Sequence, residues 1–403
     1  MAISFGYWMP LGSGGFVISN IPQRTDWSLD YNARLAQTAE DLGFDYGLAP
    51  ARFIASHGWE LQQEAVTCTA VLAAQTRRLK LIGAVHTGFW HPAMIAKMAA
   101  TIDVYSKGRF AINILTGWFK DEFRAFGEPW LDHDERYRRS EEFIQVLKGL
   151  WTQDRLTFKG DFYRINEGWL KPRPVSAPHP EIFQGGNSKA ARRMAAKHSD
   201  WYFINGNTVA GAKEQIDEVK ALAKAAGRRV RFGLNGFVIQ RPSEREALEQ
   251  LEAIVAAADP AIVQAFADQV KHAGASTAER VGMWADSDHA NLVQPNDGFK
   301  TRLFGPPELI AERIAAYEAI GVDMILCAFL HFTDELPAFG REVIPLVQRG
   351  TAAAEDRLAL AAGRRPARLI PRNRASQRTP SISVFEKSSP TCSRRQPCSF
   401  ATS

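Results

Sequence analysis

The sequence predicts an α/β chain folded as a closed (β/α)8 barrel of TIM type with insertion segments. Three observations carry that expectation. Between residues 1 and 349, short apolar runs alternate with longer amphipathic ones about eight times, always strand then helix, which demands parallel strands joined by helical crossovers. The strand segments read as continuous apolar stretches, as when both faces of a sheet are covered. No GxGxxG follows the first strand, which weighs against the runner-up, an open doubly wound sheet.

The elements follow in order. AISFGYW (2–8) is a strand, and SLDYNARLAQTAEDLGF a helix whose Leu35, Ala39 and Leu42 share a face and whose stop is Gly43. DYGLA (45–49) is a second strand and LQQEAVTCTAVLAAQT a helix. LKLIGAVH (79–86) is a third strand; PAMIAKMAATIDVYS is a helix with Pro92 in its first turn, where no N–H is needed. RFAINIL (109–115) precedes a helix over 136–151, with Ile144, Leu147 and Trp151 on one face. LTFKGDFYRI reads as a hairpin turning at Lys159-Gly160-Asp161. EIFQGG (181–186) leads into NSKAARRMAAKH, and WYFING (201–206) into AGAKEQIDEVKALAKAAG. RVRFGLNGFVIQ (229–240) precedes an Ala-rich helical region ending at 273, then an aperiodic segment, 275–303. GPPELIAERIAAYEAIG is a helix, VDMILCAFLHF a strand, and FGREVIPLVQ the final helix.

Residues 350–403 are a different material. They are rich in Arg, Ser and Pro, with 10 Lys+Arg against 3 Asp+Glu, and we expect them to be disordered. They read either as a basic interaction arm or as an extension with no role. The chain's net charge of +5 therefore sits in this tail, and the near-neutral body gives no support to nucleic-acid binding. No apolar run is long enough for a bilayer, and MAISFGYWMP lacks the features of a signal peptide. Cys68 and Cys327 lie in apolar stretches and Cys392 and Cys398 in the tail, with no CxxC. This pattern fits a reducing cytoplasm without a disulfide framework or structural metal. HExxH and GxSxG are also absent, so neither a zinc protease nor a nucleophile-elbow hydrolase is expected.

In a barrel the chemistry belongs where strands end. QGGNS (184–188) stands at such a junction. Gly185 and Gly186 permit close backbone approach, Asn187 and Ser188 can cap the helix, and the first-turn amides favour an anion such as a phosphate monoester. The same residues also make an ordinary loop and cap. Arg192 and Arg193, one turn on, supply counter-charge or face solvent. AVHTGFWHP (84–92) and NILTGWFKDEFRAFGEPW (113–130) are aromatic for loops. They form a dry pocket for a flat ring, pack the barrel rim, or do both. His133 and Tyr137 share a face if their helix begins at His133. His331 ends the eighth strand with Phe329 two residues before it, so alternation sends both to one side. A His there is an acid, base or orienting group. The residues alone point to a flat, phosphate-bearing organic cofactor, without specifying a flavin.

FGYWMP, AVHTGFWHP, RFAINILTGWFKDEF, GEPWLDHDERYRRSEEF, EIFQGGNSKAARRMAA and GVDMILCAFLHF together resemble the bacterial luciferase-like flavin monooxygenases, over essentially 1–349. RTDWSLDYN, SDWYFINGNT and LVQPNDGFKT resemble the branch of that family that oxidises dimethyl sulfone. The resemblance implies reduced FMN, delivered by a separate NAD(P)H-dependent flavin reductase, and dioxygen as co-substrate. The products would be methanesulfinate and formaldehyde, made by a homo-oligomer. It implies that the FMN phosphate lies at Gly186, Asn187 and Ser188 beside Tyr137 and His133, with Thr87 and Asn113 toward the ring. Trp8, Asn205, Asn235, Phe329 and His331 are the expected substrate-side residues.

Relatives acting on sulfonates carry Arg and His on the seventh strand, where this chain has Asn235 and Phe237, and a Tyr where it has Phe329. A buried anion needs a positive partner, so the change suits a neutral sulfone. Trp8, Phe89, Trp90, Trp118 and Phe329 are expected to exclude water at the mouth. Segment 275–303 would act as a lid, with Lys300 and Arg302 reaching the phosphate. The alternatives are a sulfonate or other alkane-type monooxygenase of the same family, and a flavin-free barrel isomerase or lyase using QGGNS for a phosphorylated metabolite. A third is a non-catalytic flavin-binding protein.

Overall fold

The computed structural model describes residues 2–55, 58–275, 284 and 286–361. Eight parallel strands close into a barrel. They are β1 (Ser4–Trp8), β2 (Tyr46–Ala49), β3 (Lys80–His86), β4 (Phe110–Leu115), β5 (Glu181–Gly185), β6 (Trp201–Ile204), β7 (Arg231–Phe237) and β8 (Met324–Ala328). Closure is made by β1, whose Gly6 lies opposite Tyr46 of β2 and Leu326 of β8. The eight expected strands are all in the barrel wall.

A helix follows each strand: α1 (Leu29–Leu42), α2 (Ala65–Gln75), α3 (Pro92–Ser106), α4 (His133–Thr152), α5 (Lys189–His198), α6 (Val209–Ala225), α7 (Pro307–Ile320) and α8 (Phe332–Ala361). Their ends obey local chemistry. The Ser28 hydroxyl accepts the Tyr31 N–H to start α1, and Gly43, in the left-handed region at φ 98°, ends it. Pro92 opens α3 behind His91, whose ring nitrogen accepts the Ala93 N–H at 3.2 Å.

Two excursions leave the repeat. Between α4 and β5, strands Leu156–Lys159 and Arg164–Gly168 form the expected hairpin. The Glu142 carboxylate of α4 accepts three backbone N–H groups at its tip, from Asp161, Phe162 and Tyr163. Between β7 and α7 lie helices Glu244–Ala256, Pro260–Ala275 and His289–Leu292 and a 3₁₀ turn, Gly298–Thr301. Part of the segment expected to act as a lid, residues 276–283 and 285, lies outside the described residues.

The barrel interior is layered by strand alternation. At the amino-terminal end Glu181 accepts from Lys80 at 2.6 Å and from Tyr46 and Trp201, each at 3.2 Å, and pairs with Arg231. Burial pushes the Glu181 carboxyl up, but the two cations more than offset this and hold it below the ordinary value. Above that plug Phe183 stacks between Trp201 and Phe203, each ring 5.1 Å away. Gly233 makes room, since a Cβ there would sit 2.6 Å from the Phe203 ring. These layers fill the amino-terminal half of the barrel interior.

The compact unit runs Met1–Glu355 and a second segment Asp356–Ser403. Helix α8 continues to Ala361, past the residue at which composition placed the start of the tail. The remainder, 362–403, lies outside the described residues. Among the described residues, no helix is long and apolar enough to cross a membrane, and no group of three or more His, Cys, Asp or Glu could hold a metal.

Candidate active site

One step beyond the aromatic layer, period-two alternation changes the character of the wall. Trp8 stands above Gly6, Asn113 above Ala111, Gly185 above Phe183, Asn205 above Phe203 and Asn235 above Gly233. All five upper residues, with Tyr137, line a cavity of about 250 Å³. Its floor is therefore three neutral amides, a glycine and an indole. Trp118, Phe266 and Trp284 form an aromatic cover, with ring centroids 5.4–5.8 Å apart. Gln294, Pro295 and Asn296 of the β7–α7 excursion complete it. That segment is docked by the Gly206 N–H, which donates to the Asn296 carbonyl at 2.8 Å.

The amides are not equivalent. Asn235 is fixed on both sides: Trp8 Nε1 donates to its Oδ1 at 2.9 Å, and its Nδ2 donates to the Ile204 carbonyl at 3.1 Å. Asn113 Oδ1 and Asn205 Nδ2 are buried without a hydrogen-bond partner in the protein. Leaving such a group unpaired costs about 1–3 kcal/mol. The Asn113 acceptor is thus ready for a ligand, while the Asn205 amide lies toward the Asp297 carboxylate.

A second pocket of about 70 Å³, bordered by Phe203 and Asn205 as well, contains Gly186, Asn187 and Lys300. It lies at the N-terminus of α5. Ser188 caps that helix, accepting the Ala191 N–H at 3.2 Å. Gly186 has φ 128°, and a Cβ there would lie 2.8 Å from both Tyr137 Oη and the Ala191 Cβ. The Tyr202 hydroxyl donates to the Gly186 carbonyl. Arg192 points back at the corner: Nε and Nη2 donate to the Asn187 carbonyl and Oδ1, at 3.2 and 2.7 Å, while Nη1 pairs with Glu218. It positions Asn187 with its charge already matched. The glycine cradle, the helix N-terminus and the Tyr137 hydroxyl fit an anionic group such as a phosphate monoester, while Lys300 is already paired with the Asp297 carboxylate at 3.4 Å and Asp286 also borders the pocket.

The other expected residues divide. His133 is buried with its ring 4.9 Å from that of Tyr137 and Nδ1 2.8 Å from the Asp134 carboxylate. Thr87 lies behind the wall. Its hydroxyl is 2.9 Å from that of Ser140, and its carbonyl accepts the Tyr163 hydroxyl of the hairpin at 2.8 Å. The expectation that Phe329 and His331 face the mouth does not hold. β8 ends at Ala328 and points Met324 and Leu326 inward, so Phe329 has the opposite parity. It packs outward against Phe332 and Phe339 of α8, and His331 Nδ1 accepts the Arg24 N–H at 3.1 Å. Phe89 and Trp90 pack against Phe53 rather than lining the cavity, and exposed Arg302 lies toward Glu244. Arg52, Phe16, Trp59 and Gln294 line the cavity without having been expected there. Arg52 had a signal in the sequence, since it follows the end of β2 by three residues and barrel sites are built from such loops.

A parallel barrel with a phosphate-type corner beside an aromatic cavity defines a class, and the comparisons name it. The chain belongs to the luciferase-like monooxygenase family, whose model matches residues 3–324. It is 57% identical over 346 residues to an FMNH2-dependent dimethylsulfone monooxygenase of Pseudomonas putida, covering 86% of this chain and 95% of that protein. It is 53% identical over 355 residues to the protein of the same name from Pseudomonas fluorescens (strain Pf0-1), covering 88% and 97%. The fold is similar to that of a riboflavin lyase solved with a modified FMN and riboflavin, at a TM-score of 0.76 and 20% identity, covering 87% of this chain and 92% of that one.

Proposed function

We propose that this chain is a two-component monooxygenase that uses reduced FMN and dioxygen to convert dimethyl sulfone to methanesulfinate and formaldehyde. A separate NAD(P)H-dependent reductase supplies the reduced FMN. The observation that carries the reading is the cavity floor. The seventh strand presents Asn235, a neutral amide locked to Trp8, and the one cation of the lining among the described residues, Arg52, lies against Trp118 of the cover rather than on that floor. A sulfone's oxygens accept hydrogen bonds but carry no net charge.

The residues present fit FMN. Gly186, Asn187, the Ser188-capped helix and Tyr137 would take its phosphate. The unpartnered Asn113 Oδ1 would accept an N–H of the ring system. When bound, the reduced flavin supplies two electrons and the site of dioxygen activation. The chain supplies shelter and aim. Trp118, Phe266 and Trp284 keep water from the cavity, which suppresses wasteful release of hydrogen peroxide. Trp8 and Asn235 hold each other in one rotamer and so shape the substrate end. Asn205 borders the same end of the cavity, with its amide toward Asp297.

Product analysis with dimethyl sulfone, reduced FMN and air tests the proposal. Formaldehyde and methanesulfinate should appear in equal amounts, with no formaldehyde from methanesulfonate. The reverse preference would replace the sulfone by a sulfonate. Failure to bind reduced FMN anaerobically would favour the flavin-free isomerase or lyase.

A further inference from the structure

Arg52 is the one charged side chain lining the cavity among the described residues, and nothing above gives it a role. Its guanidinium lies 4.5 Å from the centroid of the Trp118 ring, and its only hydrogen bond among the described residues is a long one, 3.3 Å, to its own neighbour's carbonyl, Ala51. The chain immediately after it is pinned. Glu122, fully buried, uses Oε1 to accept the backbone N–H groups of Phe53 and Ile54. Glu122 Oε2 accepts nothing and lies 3.9 Å from His86 Nε2. His86 does not neutralise it, because burial, with Arg52 and Arg139 nearby, pushes its pKa down to about 3. Glu122 acts electrostatically on Arg52. The cation is oriented and partly balanced, and its other N–H donors have no hydrogen-bond partner among the described residues.

We infer that Arg52 is a catalytic residue that receives the sulfonyl oxygens as their charge develops, forming a subsite for a sulfinate-type oxyanion. The inference rests on the function proposed above. In that reaction one carbon–sulfur bond breaks. Its electron pair stays on sulfur, which leaves as sulfinate with both original oxygens. The detached carbon leaves as formaldehyde with one atom of dioxygen, and the other atom leaves as water. Two electrons and two hydrogens come from the reduced flavin, and one proton is released. The sulfonyl oxygens thus go from neutral to anionic. A guanidinium beside them gains most after charge has formed, which lowers the barrier without tightening substrate binding.

The test uses the full chain loaded with FMN. Sodium methanesulfinate is titrated calorimetrically, and dimethyl sulfone turnover is followed by formaldehyde. Arg52→Met should weaken sulfinate binding at least about tenfold and lower kcat while leaving the sulfone KM nearly unchanged. Arg52→Lys should recover part of both losses. Glu122→Gln keeps the acceptor for Phe53 and Ile54 but removes the counter-charge, so it should tighten sulfinate binding. FMN affinity should be the same in all three. Unchanged sulfinate binding and kcat in Arg52→Met overturns the inference, as does weaker binding in Glu122→Gln. If the native chain does not turn over dimethyl sulfone yet binds sulfinate through Arg52, the function proposed above fails and the subsite stands.

Discussion

Gly186 carries two constraints that a side chain would violate together. Its φ of 128° is a conformation that L residues rarely adopt. The space where a Cβ would go is bounded at 2.8 Å by Tyr137 Oη and the Ala191 Cβ. Gly186→Ala should lower stability by about 1–3 kcal/mol and push Tyr137 out of the corner. We expect the loss of reduced-FMN affinity to exceed the change in thermal stability, read by anaerobic fluorescence quenching beside a melting curve. Arg192 shows what spacing alone leaves open: one turn from the corner, it reads as a counter-charge or as a solvent-facing side chain. Its pairing with Glu218 makes it a prop for Asn187, and that pairing joins residues 26 apart on different helices.

The elements themselves were legible because each advertises its ends. Ser28, Gly43, Pro92 and Ser188 are chemical marks of helix boundaries, and they function as such. The parity of β8 was not legible. An apolar run covered on both faces has no alternation to read, so Phe329 and His331 were assigned to the inner side and lie elsewhere. The 275–303 part of the β7–α7 excursion has no periodicity, yet it delivers Asp297, left-handed at φ 56° and nearly inaccessible. Ser287 donates to it at 2.6 Å and Lys300 lies at 3.4 Å, but burial prevails and pushes its pKa up to about 6. The folded state then holds a proton that the unfolded state releases above its ordinary value of 3.8. Stability contributed by this group falls as pH rises from near 4 to near 6 and stays lost above. Asp297→Asn, isosteric and tolerant of the left-handed region, should remove that slope. Relative to the native chain it should gain roughly 1–3 kcal/mol between pH 4 and pH 7, measured by denaturant unfolding at each pH.

At the scale of the whole molecule the barrel divides its labour along its axis. The Lys80–Glu181–Arg231 plug and the aromatic stack close the amino-terminal end, while amides and glycines open the other. The barrel and the QGGNS corner were readable because repetition and a helix cap are local signals. The cavity's cover was not, since Trp118, Phe266 and Trp284 meet only after distant loops fold over one mouth. The account stands on the corner at Gly186–Ser188 holding a phosphate. Anaerobic titration of the native chain with reduced FMN and with reduced riboflavin, which differ only in that group, tests this directly. We predict at least about tenfold tighter binding of FMN, with the difference shrinking as salt competes. Equal affinities for the two would contradict the account.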